Sequence, residues 1–458
     1  MSPVGSVWFN YGLFTLDQSK DYGSVPVKLL EGYPISSFAQ YLSLTGQLPK
    51  LDSVEQASVK IGFLGPLSGA VESWGRPGLN GCEIWVDWLN KAGGILIGGQ
   101  RRKVELIPFD CGVDPQKALE GAESLVSNER VSLLMTLGGS ALQNCLRFLT
   151  EHKVLTSTLL PSDLSPDTPY VIAPSEVHPV YNVTGVDWLC RNKKPKSVAL
   201  CAQTDAMGLP SLATYRAAFA ARGVPVVSEV QYDPKEKNGR AIVGQMMAQN
   251  PDVLCWCTSY TPMVHSLTKA AFDLGFDGHL LSCTADGYET MIKATSAEFI
   301  EGFTFQFPDF DDPALAEKAF FFRQPKRFYD EYNRRFPNSW SAVSWEYVAI
   351  LDIWHAAVEQ ASNVSSTSVL AAMKHLGQVE HAFGDATWWG RELFGIENAL
   401  IGDWPVVEIQ DGKAKIVSFE SISEWLRTNE PLLQKEMQSL GQMWFQRLGA
   451  DTPVYQFS

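Results

Sequence analysis

The sequence predicts an α/β protein made of two similar doubly wound lobes with a ligand cleft between them. Three observations carry this expectation. Short apolar runs alternate with segments whose apolar residues recur at helical spacing, the order that builds parallel βαβ units covered on both faces. The alternation runs through 58–175 and starts again over 197–305. Glycines stand where the helical patterns stop, at Gly93-Gly94, Gly223 and Gly275, and glycine is the residue that most readily takes the left-handed turn after a helix.

Taken in order, residues 1–56 carry Gly, Pro, Ser and Tyr without a clear period and read as an extension with one short helix near Ser36–Gln47. Ser58 to Gly65 is the first buried strand, and 66–69 a turn. Ile84, Trp85, Trp88 and Leu89 give the helix Leu79–Asn90 an apolar face. Val104–Asp110 and Val131–Met135 are the next strands. Pro115–Val126 and Leu142–Leu149 are the helices that follow them. The second round places strands at Ser197–Ala202, Val224–Val230 and Pro251–Trp256, with helices at Leu209–Arg222, Arg240–Gln249 and Pro262–Leu274. Tyr347, Ile350, Leu351, Trp354, Ala357, Val358 and Ala361 form the stripe of a long core helix. A last helix, Leu432–Leu448, puts Leu433, Met437, Leu440 and Trp444 on one face, which must pack on a lobe or on a second copy of the chain. Open α/β sheets bind ligands at the carboxyl ends of their strands, so the loops after the strands are the place to look for function.

Composition removes several classes. At 45% hydrophobic and 19% charged residues the chain is ordinary globular material. Lys+Arg 37 against Asp+Glu 51 leaves a net charge of −14, which repels nucleic acid and anionic membranes. No apolar run reaches the roughly 20 residues needed to span a bilayer, and a soluble protein is expected. The N-terminus, Met1 to Trp8, shows no basic stretch followed by an apolar one, so no export signal is read there. The 8 cysteines include no CxxC. Cys255 and Cys257 fall in the apolar run 253–257 and are expected to be buried, reduced neighbours on one face of a strand. No P-loop, GxGxxG, GxSxG or zinc-protease helix is present, and the 7 histidines are scattered. Catalysis, metal and cofactor are therefore not expected.

One run of residues has a more specific likeness. Ile61-Gly-Phe-Leu-Gly-Pro-Leu-Ser-Gly69 leads to Trp74-Gly75, Gly81, Asn90-Lys-Ala-Gly-Gly-Ile95 and Asp110-Cys-Gly-Val-Asp-Pro115, with Lys117-Ala118 in the next helix. This opening resembles that of the type I periplasmic-binding-protein family, and in particular the branched-chain amino acid and amide substrate-binding proteins of ABC transporters. The likeness continues through Ala206-Met-Gly208, Asn250 to Leu254, Leu274-Gly275, Ala285-Asp-Gly287, Glu301-Gly302 and Gln410-Asp-Gly-Lys413, covering about 57–418.

The resemblance implies two lobes joined by three crossovers. Residues 57–175 plus 309–378 would form lobe one and 176–308 plus 379–420 lobe two, with 1–56 an N-terminal extension and 421–458 a C-terminal helical tail. Carried over residue by residue, Trp74 would be one aromatic wall. Gly139, Ser140 and Ala141 would form the loop that grips a ligand carboxylate, although this loop is one residue shorter than in leucine-binding relatives. Pro161 and Ser162 would form the next loop. His178 stands where those relatives usually have an acid, and Met207 where a tyrosine often precedes the glycine. Tyr260 would be the facing aromatic and Asp286 the amine-binding carboxylate. The departures at His178 and Met207, with 14 Trp in the chain, point away from simple leucine and towards an amide, an aromatic acid or a larger amino-acid derivative.

The implied function is a receptor that captures such a solute between closing lobes for an ABC permease. The alternative is a cytoplasmic ligand sensor of the amide-regulator type that controls a protein partner. The location is periplasmic in the first case, with the signal already removed, and cytoplasmic in the second. A dimer through the terminal extensions is a further expectation.

Overall fold

The computed structural model describes residues 6–9, 12–15, 58–69, 71–175, 178–316, 324–375 and 377–447. The chain divides into two units, Met1–Gln56 and Ala57–Ser458. In the first, Ser6–Phe9 and Gly12–Thr15 pair as an antiparallel hairpin with Trp8 opposite Leu13. The helix expected near Ser36–Gln47 lies outside the described residues.

The second unit holds a small antiparallel pair, Ile95–Ile97 with Gln100–Arg102, and two larger sheets. The first has five parallel strands in the order Val104–Asp110, Val59–Gly65, Leu133–Thr136, Thr156–Thr158, Val171–Ile172. Its strand Val59–Gly65 is apolar on both faces because both are covered. Ile61 and Phe63 meet the layer made by helices Arg76–Lys91 and Val343–Ala361, while Leu64 meets helix Pro115–Glu123. The second sheet runs Val226–Tyr232, Val198–Gln203, Val253–Cys255, His279–Leu281, Thr304–Phe305, again all parallel. The repeated βαβ alternation is thus one mixed α/β plan used twice.

Three local expectations need correction. The helix expected at Leu142–Leu149 is two short ones, Ser140–Gln143 and Leu146–Glu151, broken at Asn144-Cys145. Residues 378–421, read without elements, form four antiparallel strands, Gln378–His381, Gly384–Trp389, Ala399–Gln410 and Lys413–Ser421, that extend the second sheet. Asp411 and Gly412, both at positive φ, make the tight turn between the last two, and an Asp-Gly pair is a strong hairpin signal. Finally, the last long helix begins at Ile422 and passes through Pro431 to Ser439. Ser421 caps it by accepting from Glu424 N. Proline inside a helix costs about 3 kcal/mol. Burial of Ile422, Trp425 and Leu426 on one side of it and Leu433 and Met437 on the other offsets that. This helix packs on Gly208–Ala221, so its apolar stripe is covered within the chain.

Strand Ala399–Gln410 touches both sheets. Ala173 N donates to Asn398 O at 2.8 Å and Leu400 N to Ala173 O at 3.1 Å, at the edge of the first sheet. Farther on, Phe305 pairs with Val407 in the second.

All eight cysteines of the sequence are described and unpaired, and only Cys190 is not buried. Cys255 and Cys257 are neighbours, with Cys257 at φ 46° just past the strand end. A thiol reagent is expected to label Cys190 first in the native protein, slowly because burial pushes its thiol up to about 11, and the other seven only on denaturation, counted by mass spectrometry. Fast native labelling of Cys255 or Cys257 would contradict the buried placement.

Candidate functional site

Parallel strands deliver their following loops to one sheet edge, and the two sheets bring those edges face to face. From the first sheet come the turn Glu72–Trp74, the loop Gly138-Gly139 and the turn Pro161–Asp163. From the second come Asp205 to Met207, Tyr260 and Asp286. Trp74 and Tyr260 meet edge to face with ring centroids 5.4 Å apart, a geometry in which the positive edge of one ring faces the negative face of the other.

Each of these side chains is held from behind. Asp110 at the end of its strand accepts from Leu67 N at 2.8 Å and Gly112 N at 3.0 Å, fixing the loop that carries Trp74. Asp205 Oδ1 accepts from Met207 N and Gly208 N, capping helix Gly208–Ala221. Its Oδ2 accepts from Gln203 Nε2 at 2.6 Å and from the Tyr260 hydroxyl at 3.1 Å, while Tyr260 N donates to Gln203 Oε1. Burial and the neighbouring Asp205 push the Tyr260 phenol up, so it stays a donor.

Asp286 reaches across to the first sheet's layer. Ala342 N, at the start of helix Val343–Ala361, donates to its Oδ1 at 3.0 Å. Its Oδ2 is buried without a hydrogen-bond partner among the described residues. The Trp74 indole and the Thr261 hydroxyl lie near enough to favour the ionised form, though neither makes a hydrogen bond of normal geometry with Oδ2. Burial wins, and the carboxyl is raised to about 6.

Gly139 N donates to both oxygens of Asp163, at 3.1 and 3.0 Å, and the Thr158 hydroxyl donates to Oδ2 at 2.7 Å. Asp163 is buried, and burial raises it to about 6. It therefore couples the Gly138-Gly139 loop to the Pro161–Asp163 turn. Ser140 begins the short helix after that loop, and Ala141 sits beside a small nook lined by Cys111, Gly112 and Leu142.

Two candidates point inward instead. His178 Nε2 is 3.0 Å from Thr258 Oγ1, which donates to Ser211 Oγ, and burial drops its pKa to about 3. It is a neutral member of a buried hydroxyl network. Met207 is 7% exposed and packs in the core. Asp205 and Asp163 were not expected from the sequence. The first had a local signal, an Asp ahead of a helix start. The second had none, because its partners lie 24 and 5 residues away.

The chain matches the periplasmic binding protein family over residues 58–414. It belongs to that family. The Leu/Ile/Val-binding protein BraC3 of Rhizobium johnstonii is 26% identical over 238 residues, 48% of this chain and 62% of that relative. The match thus spans less than two thirds of that relative's length. Among solved structures, an ABC-transporter solute-binding protein of R. palustris in complex with benzoate superposes with a TM-score of 0.64 at 15% identity, covering 80% of this chain and 97% of its own. LivJ, the branched-chain amino acid transporter binding protein of Streptococcus pneumoniae, in complex with isoleucine, gives 0.61 at 17%, covering 79% and 99%. At these identities the likeness is one of fold, the type I periplasmic-binding architecture. Among the described residues, no helix of this periplasmic binding protein is long and apolar enough to cross a membrane, and no group of three or more His, Cys, Asp or Glu could hold a metal ion.

Proposed function

We propose that this chain is the solute receptor of an ABC importer, working in the periplasm. It closes two lobes on a small amino-acid-like, amide or aromatic acid ligand and presents it to a permease. One observation supports this above the rest: an aromatic from each sheet's loop edge, Trp74 and Tyr260, meets the other beside the buried carboxyl of Asp286. An apolar slot with a few fixed polar groups is what small-solute sites need. The named relatives are transport binding proteins, which favours this reading over a ligand sensor.

Calorimetric titration with isoleucine, leucine, benzoate and 4-hydroxybenzoate tests it, with small-angle scattering to read compaction on binding. Trp74→Ala is expected to weaken the bound probe at least about tenfold. The indole is buried, so the variant will also melt earlier, and affinity should be measured where circular dichroism shows it folded. Unchanged affinity would remove Trp74 from the site. Conversion of a probe into product would replace the receptor reading with an enzymatic one.

A further inference from the structure

The last described helical turn, Trp444–Arg447, reaches the turn Pro161–Asp163 of the first sheet through Arg447. Arg447 Nη1 donates to Ser162 O, and its Cζ stands 6.0 Å from the Phe394 ring centroid. The rest of the guanidinium is unused. Among the described residues, Nε and Nη2 are both buried without a hydrogen-bond partner, and so is the hydroxyl of Ser162.

The pair left over is informative. Nε–H and Nη2–H point in parallel from one edge of the guanidinium, the fork that fits the two oxygens of a carboxylate. Two other arginines here use that same edge. Arg216 Nε and Nη2 hold Glu229 at 2.7 and 2.6 Å, and Arg222 Nε and Nη2 hold Asp187. On Arg447 the edge is oriented by the Nη1 anchor, desolvated, and has no acceptor among the described residues. Asp163 does not fill it. That carboxylate is engaged by Gly139 N and the Thr158 hydroxyl, and no ion pair joins it to Arg447. Asp163 acts on Arg447 only through its charge. Burial dominates, and the guanidinium is lowered to about 10, the direction expected of a cation whose charge is poorly compensated.

We infer that the Nε–Nη2 edge of Arg447, together with the Ser162 hydroxyl, receives the carboxylate of the bound solute. This rests on the receptor reading above and narrows it. The solute is an acid, and an amide of the same shape is discriminated against because it cannot accept at both positions of the fork and carries no charge. The C-terminal tail then supplies a ligand contact from outside the repeated α/β plan.

The test uses the full chain and matched probes, leucine with leucinamide and benzoate with benzamide, titrated into wild type, Arg447→Gln and Arg447→Lys. Wild type is expected to prefer the acid of the bound pair by at least about tenfold, the effect of losing a charge-assisted hydrogen bond. Arg447→Gln should bring acid and amide to within about threefold, mainly by weakening the acid. Arg447→Lys should fall between, because an ammonium cannot grip both oxygens. If Arg447→Gln does not fold, Ser162→Ala and Arg447→Lys make the same comparison, with a several-fold loss for the acid alone. A preference that survives Arg447→Gln, or that falls equally for acid and amide, overturns the inference. Equal binding of acid and amide by wild type overturns it while leaving the receptor reading intact. Binding of none of the probes overturns the receptor reading itself.

Discussion

Gly138→Ala is expected to lower the unfolding free energy by roughly 3–5 kcal/mol. Gly138 has φ 96°, a backbone conformation that costs an L side chain about 1–3 kcal/mol. An alanine Cβ there would stand 2.1 Å from Thr158 Oγ1 and 2.3 Å from Asp163 Oδ2. Those two atoms hold each other, and Asp163 in turn holds Gly139 N. Moving them leaves a buried donor unpaired, at about 1–3 kcal/mol more. Gly99 supplies the control. It has φ 80° and nothing within 4 Å of where an alanine methyl would stand, so Gly99→Ala measures strain without the clash. Urea titration of both variants reads the difference. If Gly138→Ala is no worse than Gly99→Ala, Asp163 is not the buttress of that loop.

Asp286→Asn is expected to change the pH dependence of stability, with a sign that can be worked out. Burial raises the Asp286 carboxyl from 3.8 to about 6 in the folded chain. Between those values the native state holds a proton that the unfolded state has released. Stability from this group is fully present below about pH 4 and is lost as pH rises through about 6. A shift of about two units corresponds to at most about 3 kcal/mol. Asparagine keeps an acceptor for Ala342 N and never ionises. The variant should therefore gain on wild type by up to about 2–3 kcal/mol between pH 4.5 and 7.5. Asp309, raised to about 7 chiefly by burial, remains in both proteins and loses in the variant only the Asp286 charge, the smallest of the contributions that raise it. His178 and His381, lowered by burial to about 3 and about 4, destabilise both proteins alike in acid. A difference between wild type and variant that does not move with pH would mean that Asp286 is solvated and ionised normally.

Both results depend on contacts that the local sequence does not announce, and the same division runs through the molecule. The strands Val59–Gly65 and Val198–Gln203 were legible because a strand buried on both faces is apolar along its length. Helix Val343–Ala361 was legible because its stripe repeats at helical spacing. Parallel βαβ order then places the following loops on one edge, and the family resemblance named Trp74, Gly139, Tyr260 and Asp286 within those loops. The Asp411-Gly412 hairpin carries a local signal of its own in that dipeptide.

The remainder depended on faces that come from far away in the chain. Pro431 marks a helix boundary by local rules, and only the burial of Ile422, Trp425 and Leu433 carries the helix through it. His178 reads as a site residue by position, yet its ring turns to Thr258, 80 residues away. Asp163 and Arg447 belong to the loop edge because distant groups meet there: Gly139 N for the first, and Ser162 O, 285 residues distant, for the second. The sequence by itself determined most elements of the repeated α/β plan, their order and the edge on which the loops gather, since periodicity and turn chemistry act within a few residues; the four strands over 378–421 escaped it. Only the tertiary structure decided which polar groups lose water and which donors go unpaired, because desolvation depends on everything that packs around a side chain.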